Sequence, residues 1–367
     1  LSLLMRRFPF RMAADDRLLA SAFSIYAASI LATALGGDRH AGLLESTLWT
    51  LQYFSPWFLI SRLRASPDLN YPFIFCLGAS FGAIAGCLIG VLQVLAGNLR
   101  PEAGAGNAAI FGVTCLLLGC FSALNITSTQ AVVRKLATAG LLAGLLGMVL
   151  SQTRGTWIAA APALCLIYAY APTRWKQLLC KGNSIRWLLA FALAATLISA
   201  ESFWNRMQYT STEVELISTE DDFSTSIGER LKLWEASLPA IAASPIWGYG
   251  IQNRMLAIQF YYSSFGSGLA GFSHPHNLFV TAFLDGGFIV AIATIGLLAS
   301  PIAIANGQRR LREDRMRCCL AIVLVCIYAV NGLSQITFKH DIMDAFFIYT
   351  ALVIAASIRS NGYIENS

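Results

Sequence analysis

Apolar residues in this chain gather into long, nearly unbroken stretches at 18–36, 41–60, 72–96, 107–125, 136–152, 155–171, 186–203, 277–305, 319–337 and 343–358. Each stretch predicts a helix. A membrane-crossing helix takes about 20 predominantly apolar residues, and a transmembrane barrel strand would alternate polar and apolar positions instead. Stretches five and six are nearly contiguous, with Gly155 directly after Arg154, and predict a tight helical hairpin. Lys and Arg alternate in number from one connection to the next. The connections on the side of the chain's start hold 18 of them and those on the other side hold 8. Basic loops collect in the cytoplasm, so both ends of the chain are expected there.

The pattern therefore predicts an all-α, polytopic integral membrane bundle of about ten spans. Residues 1–203 form the first seven helices, 204–275 a large outer loop with short helices, and 276–367 the last three helices. The chain opens on Leu1 rather than Met, so an upstream segment is expected. With an even number of spans in it, the full protein would have about twelve. No cleavable signal sequence is evident.

Composition agrees. Hydrophobic residues make up 56% of the chain and charged residues only 13%, against about a quarter charged in soluble domains. The net charge of +6 lies mostly in the cytoplasmic connections and does not point to nucleic acid. All nine cysteines fall within spans or on the cytoplasmic side, which argues against a disulfide framework or a zinc site.

Within the long loop, residues 210–227 are polar and acidic and are expected to be flexible. Residues 228–243 read as a helix with Leu231, Trp234, Leu238 and Ile241 on one face, kinked or ended early by Pro239 and closed at the latest by Pro245. Gly248 and Gly250 mark a turn, and 251–264 a second amphipathic helix whose aromatic end suits a membrane interface.

The outer face carries the candidate chemistry. All four histidines, His40, His274, His276 and His340, lie there in this topology. Pro275 suits a first helical turn, which puts His276 at the N-terminal end of span eight, where the helix dipole disfavours imidazolium. A neutral imidazole there is able to accept a proton; a histidine that caps a helix or hydrogen-bonds at the headgroup level is the alternative. His274 and His276 lack a third ligand for a metal. Asp285, nine residues beyond His276, lies about 13 Å along a helix and half a turn round, so it is expected to point away as a buried polar or packing residue. Arg154 stands between two apolar segments, where a guanidinium is either functional or snorkels beside Trp157. Arg230 is expected to open the first loop helix, an unfavourable place for a cation, compensated by Glu229 or by an anionic ligand. Arginine suits bidentate phosphate contacts. Gly248-x-Gly250 lacks the strand–turn–helix context of a nucleotide motif.

Three segments, in order, resemble the O-antigen ligase and polymerase superfamily. They are Ser151-Gln152-Thr153-Arg154-Gly155-Thr156-Trp157, then Arg230-x-x-x-Trp234 with Pro245-x-x-Gly248-x-Gly250, then His276-Asn277-Leu278 with Gly286-Gly287. The resemblance implies a multi-pass glycosyltransferase of the Gram-negative inner membrane, its site facing the periplasm, that uses neither metal nor cofactor. It implies an undecaprenyl-pyrophosphate-linked glycan as donor and the lipid A-core as acceptor within the membrane lipid. It makes His276 (or His274) the general base and Arg154 and Arg230 the pyrophosphate ligands, with His274, Trp234 and Asn277 as substrate-binding residues beside them. Arg206, Arg254, Lys339 and His340 share the face outside the motifs and are further substrate-binding candidates. A polymerase of the same superfamily, a ligase that glycosylates protein, and a transporter or flippase of anionic lipids are the competing readings.

Overall fold

A computed structural model describes residues 12–35, 41–65, 69–170, 204–205, 207–219, 223–261, 272–305 and 312–358. The expected span at 186–203 lies outside the described residues. So does Arg206. Among the described residues every regular element is helical. Five helices are long and apolar enough to cross a membrane: Ala14–Leu35, Tyr71–Leu95, Ala131–Leu150, Leu278–Ala305 and Asp314–Gly332. The surface supports that assignment. Along Tyr71–Leu95 the exposed large side chains are Ile74, Phe81, Leu88, Ile89, Leu92 and Leu95, the reverse of a helix whose free face meets water.

Contacts divide the chain into two compact units. One comprises Ser66–Met207, Ala305–Asn331 and Tyr349–Ser367. Its helices α4 (Tyr71–Leu95), α5 (Ala108–Ala123) and α6 (Ala131–Leu150) pack through small residues. A Cβ added at Gly144 would stand 2.5 Å from the Gly119 Cα, and one at Gly140 2.8 Å from the Ser80 Cα. Close backbone approach of this kind suits helices that gain no hydrophobic drive from leaving lipid. Ser80 and Ser122 share a hydrogen bond of 2.7 Å across it. Asn70 and Asn107 cap α4 and α5 by accepting from Phe73 N and Ala109 N. The expected hairpin is there, with α6 and α7 (Arg154–Tyr170) joined by Ser151, Gln152 and Thr153.

The other unit comprises Leu1–Ala65, Gln208–Ile304 and Gly332–Ile348. Helix α1 (Ala14–Leu35) contributes Phe23 and Tyr26 to an aromatic cluster with Trp49, Tyr53, Phe338 and Phe347. The stretch expected as one span at 41–60 is interrupted. It forms α2 (Ala41–Leu51), a 3-10 turn at Gln52–Phe54, and α3 (Pro56–Arg64), because Pro56 has no N–H to continue the ladder. Residues 207–219, expected to be flexible in part, are helical. The loop helices are α8 (Ser226–Ala243) and α9 (Arg254–Tyr261). Helix α8 runs through Pro239 and ends before Pro245, and its buried side is Leu233, Ala236, Ser237 and Ala240, with Trp234 and Ile241 of the predicted face packed against that core. Leu231 and Leu238 of that face are 40% and 64% exposed.

The long helix α10 (Leu278–Ala305) is broken at Gly286 and Gly287, whose φ/ψ are −158°/25° and 59°/−150°. The break frees the carbonyls of Leu284 and Asp285 and the N–H of Phe288. The 245–250 turn takes all three: Tyr249 N donates to Leu284 O at 2.7 Å, Gly250 N to Asp285 O at 2.9 Å, and Phe288 N to Pro245 O at 2.7 Å. Backbone groups left unsatisfied at membrane depth cost several kcal/mol each, about, so the turn replaces the missing helical bonds.

Gly287 occupies a conformation that only glycine visits easily, and its Cβ would stand 2.3 Å from Ile246 C and O. Gly287→Ala should therefore destabilise the protein by roughly 2 kcal/mol or more, read as a lower thermal midpoint in detergent. Gly296→Ala, whose Cβ would meet nothing within 4 Å, should leave the midpoint unchanged.

Candidate functional site

The segment before α10 holds the two candidate histidines. Helix α10 starts later than Pro275 suggests. Asn277 is its cap: its Oδ1 accepts from Phe279 N at 2.9 Å and Val280 N at 3.1 Å, the usual task of an N-cap side chain. Its Nδ2 donates to Leu333 O at 3.1 Å. His276 stands one residue ahead of the cap, in the left-handed region at φ 50°, and Pro275 precedes the helix altogether. The rings of His274 and His276 are 4.4 Å apart. Phe272 meets the His276 ring edge-on at 5.8 Å. Ser273 Oγ and His274 Nδ1 share a hydrogen bond of 2.8 Å, and His276 Nδ1 lies 3.2 Å from Gln335 Oε1.

Helix α8 is pinned to this segment. The Trp234 indole N–H donates to Pro275 O at 2.8 Å. Arg230 lies one turn earlier on the same face, close enough to act electrostatically on both histidines. The helix begins at Ser226, with Thr225 Oγ1 accepting from Gly228 N, so Arg230 is in the second turn and not at the helix start as expected. The dipole objection largely lapses there, and Glu229 occupies the first turn.

A buried ionic network lies next to the histidines. Asp285, fully buried, accepts from Arg254 Nη1 through both carboxylate oxygens, at 3.0 and 3.1 Å, and pairs with the Lys339 ammonium. Arg254 Nε donates to Ser273 O at 2.9 Å. Asp344, fully buried as well, accepts from Trp49 Nε1 at 2.6 Å, Tyr53 OH at 2.8 Å and Lys339 N at 3.1 Å. Both cations thus share the carboxylate of Asp285, while Asp344 holds the Lys339 backbone. Arg254 and Lys339, read from sequence as substrate-binding candidates, are tied into the scaffold, and Asp285 serves them rather than His276. His340 directly precedes α12 (Asp341–Ala356), its carbonyl accepting from Asp344 N at 2.9 Å.

Electrostatics keep the histidines neutral. Burial, helped by His276, Arg254, Lys339 and Arg230, pushes His274 down to about 3. Burial and Arg230 pull His276 down as well, against its hydrogen bond with Gln335.

Arg154 belongs to the other unit, as the first residue of α7. The turn before it is held by Ser151 Oγ donating to Met148 O at 2.7 Å and Gln152 Nε2 donating to Leu99 O at 2.7 Å, with Gln152 at φ 53°. A Cβ at Gly112 would stand 2.3 Å from Ser151 Oγ, and Thr156 Oγ1 donates to Asn331 Oδ1 at 3.1 Å. Sequence reasoning missed Gln335 because the stretch 319–337 reads as one span. The helix stops at Gly332, and the polar residues Asn331, Ser334 and Gln335 were the available signal.

Apolar helices that present aliphatic side chains outward define a multi-pass membrane protein, and the histidine pair beside Arg230 is its candidate site. Residues 139–295 match the family model described as O-Antigen ligase. It is also 24% identical over 210 residues to a protein of Haemophilus influenzae described as uncharacterized. That alignment covers 55% of this chain and 52% of the relative, so the chain matches about half of the relative's length.

Replacing Asp285 by Asn should destabilise the protein by about 3–5 kcal/mol, because Arg254 and Lys339 would stay buried with no carboxylate between them. Adding Lys339→Met should restore part of the thermal midpoint.

The depressed histidines set a pH window. Unfolded, His274 titrates near its ordinary 6.5; folded, near about 3. The unfolded chain then binds more protons between those values, so stability is complete above the upper one and is lost as pH falls toward the lower. A thermal midpoint measured against pH should fall across this range, and His274→Gln should flatten the fall.

Proposed function

We propose that the protein is a membrane glycosyltransferase that moves O-antigen polysaccharide from undecaprenyl pyrophosphate to a sugar hydroxyl of lipid A-core. The observation that carries this reading is the neutral His276, held in a left-handed backbone conformation beside Arg230 within the family-matched segment. Strained backbone at such a position is a feature of functional sites. His276 takes the proton of the acceptor hydroxyl, and the freed oxygen attacks the anomeric carbon as the bond to pyrophosphate breaks. Direct attack inverts that centre. Arg230 holds the diphosphate and stabilises the charge that develops on it, the role that the resemblance also gives Arg154. Arg154 is carried by the motif Ser151–Trp157 alone. Trp234 and Asn277 act as positioning residues, because their polar hydrogens hold Pro275 O and Leu333 O. The donor already contains the energy of transfer, so the step as written needs no nucleotide. In this reading residues 204–275 lie in the periplasm, beside the inner membrane.

A polymerase of the same superfamily would use the same donor and base with a second lipid-linked glycan as acceptor, and the matched segment is common to both. Cells that lack a ligase accumulate polymer on the lipid carrier, whereas cells that lack a polymerase retain single repeat units.

His276→Ala should lower transfer from polyprenyl-linked glycan to core-lipid A by about 10²-fold or more in protein reconstituted in lipid, while it still inserts. A rate equal to wild type would overturn the base assignment.

A further inference from the structure

Segment 333–340 is fastened to the start of α10 by three contacts of different chemistry. Asn277 Nδ2 donates to Leu333 O, His276 Nδ1 meets Gln335 Oε1, and Lys339 pairs with Asp285. Lys339 is itself left-handed, at φ 70°, and its N–H is held by Asp344. Both ends of the short path that carries Gln335 are thus anchored on buried groups, Asn277 at one and Asp285 with Asp344 at the other. Ring orientation at His276 is constrained from two further sides, by Phe272 against its edge and by His274 at 4.4 Å.

An amide oxygen can only accept. With Gln335 Oε1 opposite Nδ1, the proton of a neutral ring stays on Nδ1 and the lone pair on Nε2. The opposite tautomer would put the proton on Nε2 and leave nothing there to take a proton from a substrate. We propose that Gln335 is a positioning residue that holds His276 in the Nδ1–H tautomer, so that Nε2 is the atom that accepts the acceptor-hydroxyl proton. The inference rests on the reading of His276 as general base. It extends the site beyond the family-matched segment, which ends at 295.

Among the described residues, the charged and titratable groups that bear on this pair are Arg230 from α8, His274 alongside, and, through His274, Arg254 and Lys339. None is anionic, and Asp285 is engaged by Arg254 and Lys339. A carboxylate introduced at position 335 would therefore be the anion in hydrogen-bonding reach of the His276 ring.

The test uses the full chain reconstituted in lipid vesicles, with polyprenyl-linked glycan as donor, core-lipid A as acceptor, and kcat, KM and pH profile measured for Gln335→Leu and Gln335→Glu beside His276→Ala. Gln335→Leu should lower kcat about tenfold or more and leave the donor KM within about twofold. Gln335→Glu should keep a kcat nearer wild type and move the acid limb of the profile up by about one unit, because a carboxylate favours imidazolium. Wild-type kcat and profile in Gln335→Leu, with His276→Ala inactive, would overturn this inference and leave the base assignment standing. Equal losses in both Gln335 variants with an unshifted acid limb would reduce Gln335 to a packing residue, which also overturns it. Full activity in His276→Ala would overturn the base assignment and this inference with it.

Discussion

The break at Gly286–Gly287 is the constraint on which the rest of this unit depends. A continuous α10 would bond Leu284 O to Phe288 N and Asp285 O to Ile289 N. The glycines prevent both bonds, and the 245–250 turn supplies the substitutes. The exchange joins the loop helices to the span. A Cβ on Gly248 would stand 2.5 Å from Gly286 N, so two glycine motifs far apart in sequence are two halves of one backbone contact. Tyr249 extends it by donating its hydroxyl to Ala240 O at 2.8 Å, which closes α8 onto the same turn. The small core of Leu233, Ala236, Ala240, Ala257, Ile258 and Leu284 then packs α8, α9 and the first part of α10 together.

Charge pairing follows from that arrangement. Asp285 is the residue just before the break, and burying its carboxylate without partners would be costly. Arg254 and Lys339 supply them, and Arg254 also holds Ser273 O. The same residues that neutralise Asp285 therefore fix the backbone that carries His274 and His276. Burial first, and then their positive charges with that of Arg230, keep His274 unprotonated, while burial and Arg230 act on His276. One network thus does two things: it stabilises a broken helix and it adds to the burial that keeps His274 neutral.

Much of this was legible in sequence where the signal is one of composition. The described helices at Ala14–Leu35, Tyr71–Leu95, Ala131–Leu150 and Leu278–Ala305 fall on predicted apolar stretches, since long apolar runs have few other fates. The face of α8 was legible only in part, through Trp234 and Ile241, which pack against the core. In soluble proteins the larger apolar side chains mark the buried side, but here Leu231 and Leu238 are exposed while Ala236, Ser237 and Ala240 are buried. Near lipid, close packing favours small residues and the usual phase rule fails. The interruption at Gln52–Phe54 was hidden because its residues are as apolar as their neighbours. In the site, the motif order led to His276, Arg230 and Trp234, whose proximity does hold. The cap at Asn277, the partners of Asp285 and the contact with Gln335 were not legible, because each depends on the path of segment 333–340 after α11 (Arg312–Gly332) ends.

Charge balance also bears on which arginines can serve an anionic substrate. A diphosphate that drew on Arg254 or Lys339 would have to compete with buried carboxylates at hydrogen-bonding distance, and separating a buried ion pair leaves an uncompensated charge in a low-dielectric setting. That cost argues for keeping both cations in the scaffold through the reaction. In the proposed reading Arg230 meets the diphosphate instead, its guanidinium suited to bidentate phosphate contact. Arg230 is only half-buried and stands one helical turn from the Trp234–Pro275 bond. Its position is therefore set by a rigid helix rather than by a loop, which is the form of support that an electrostatic catalyst requires if it is not to reorganise as charge develops.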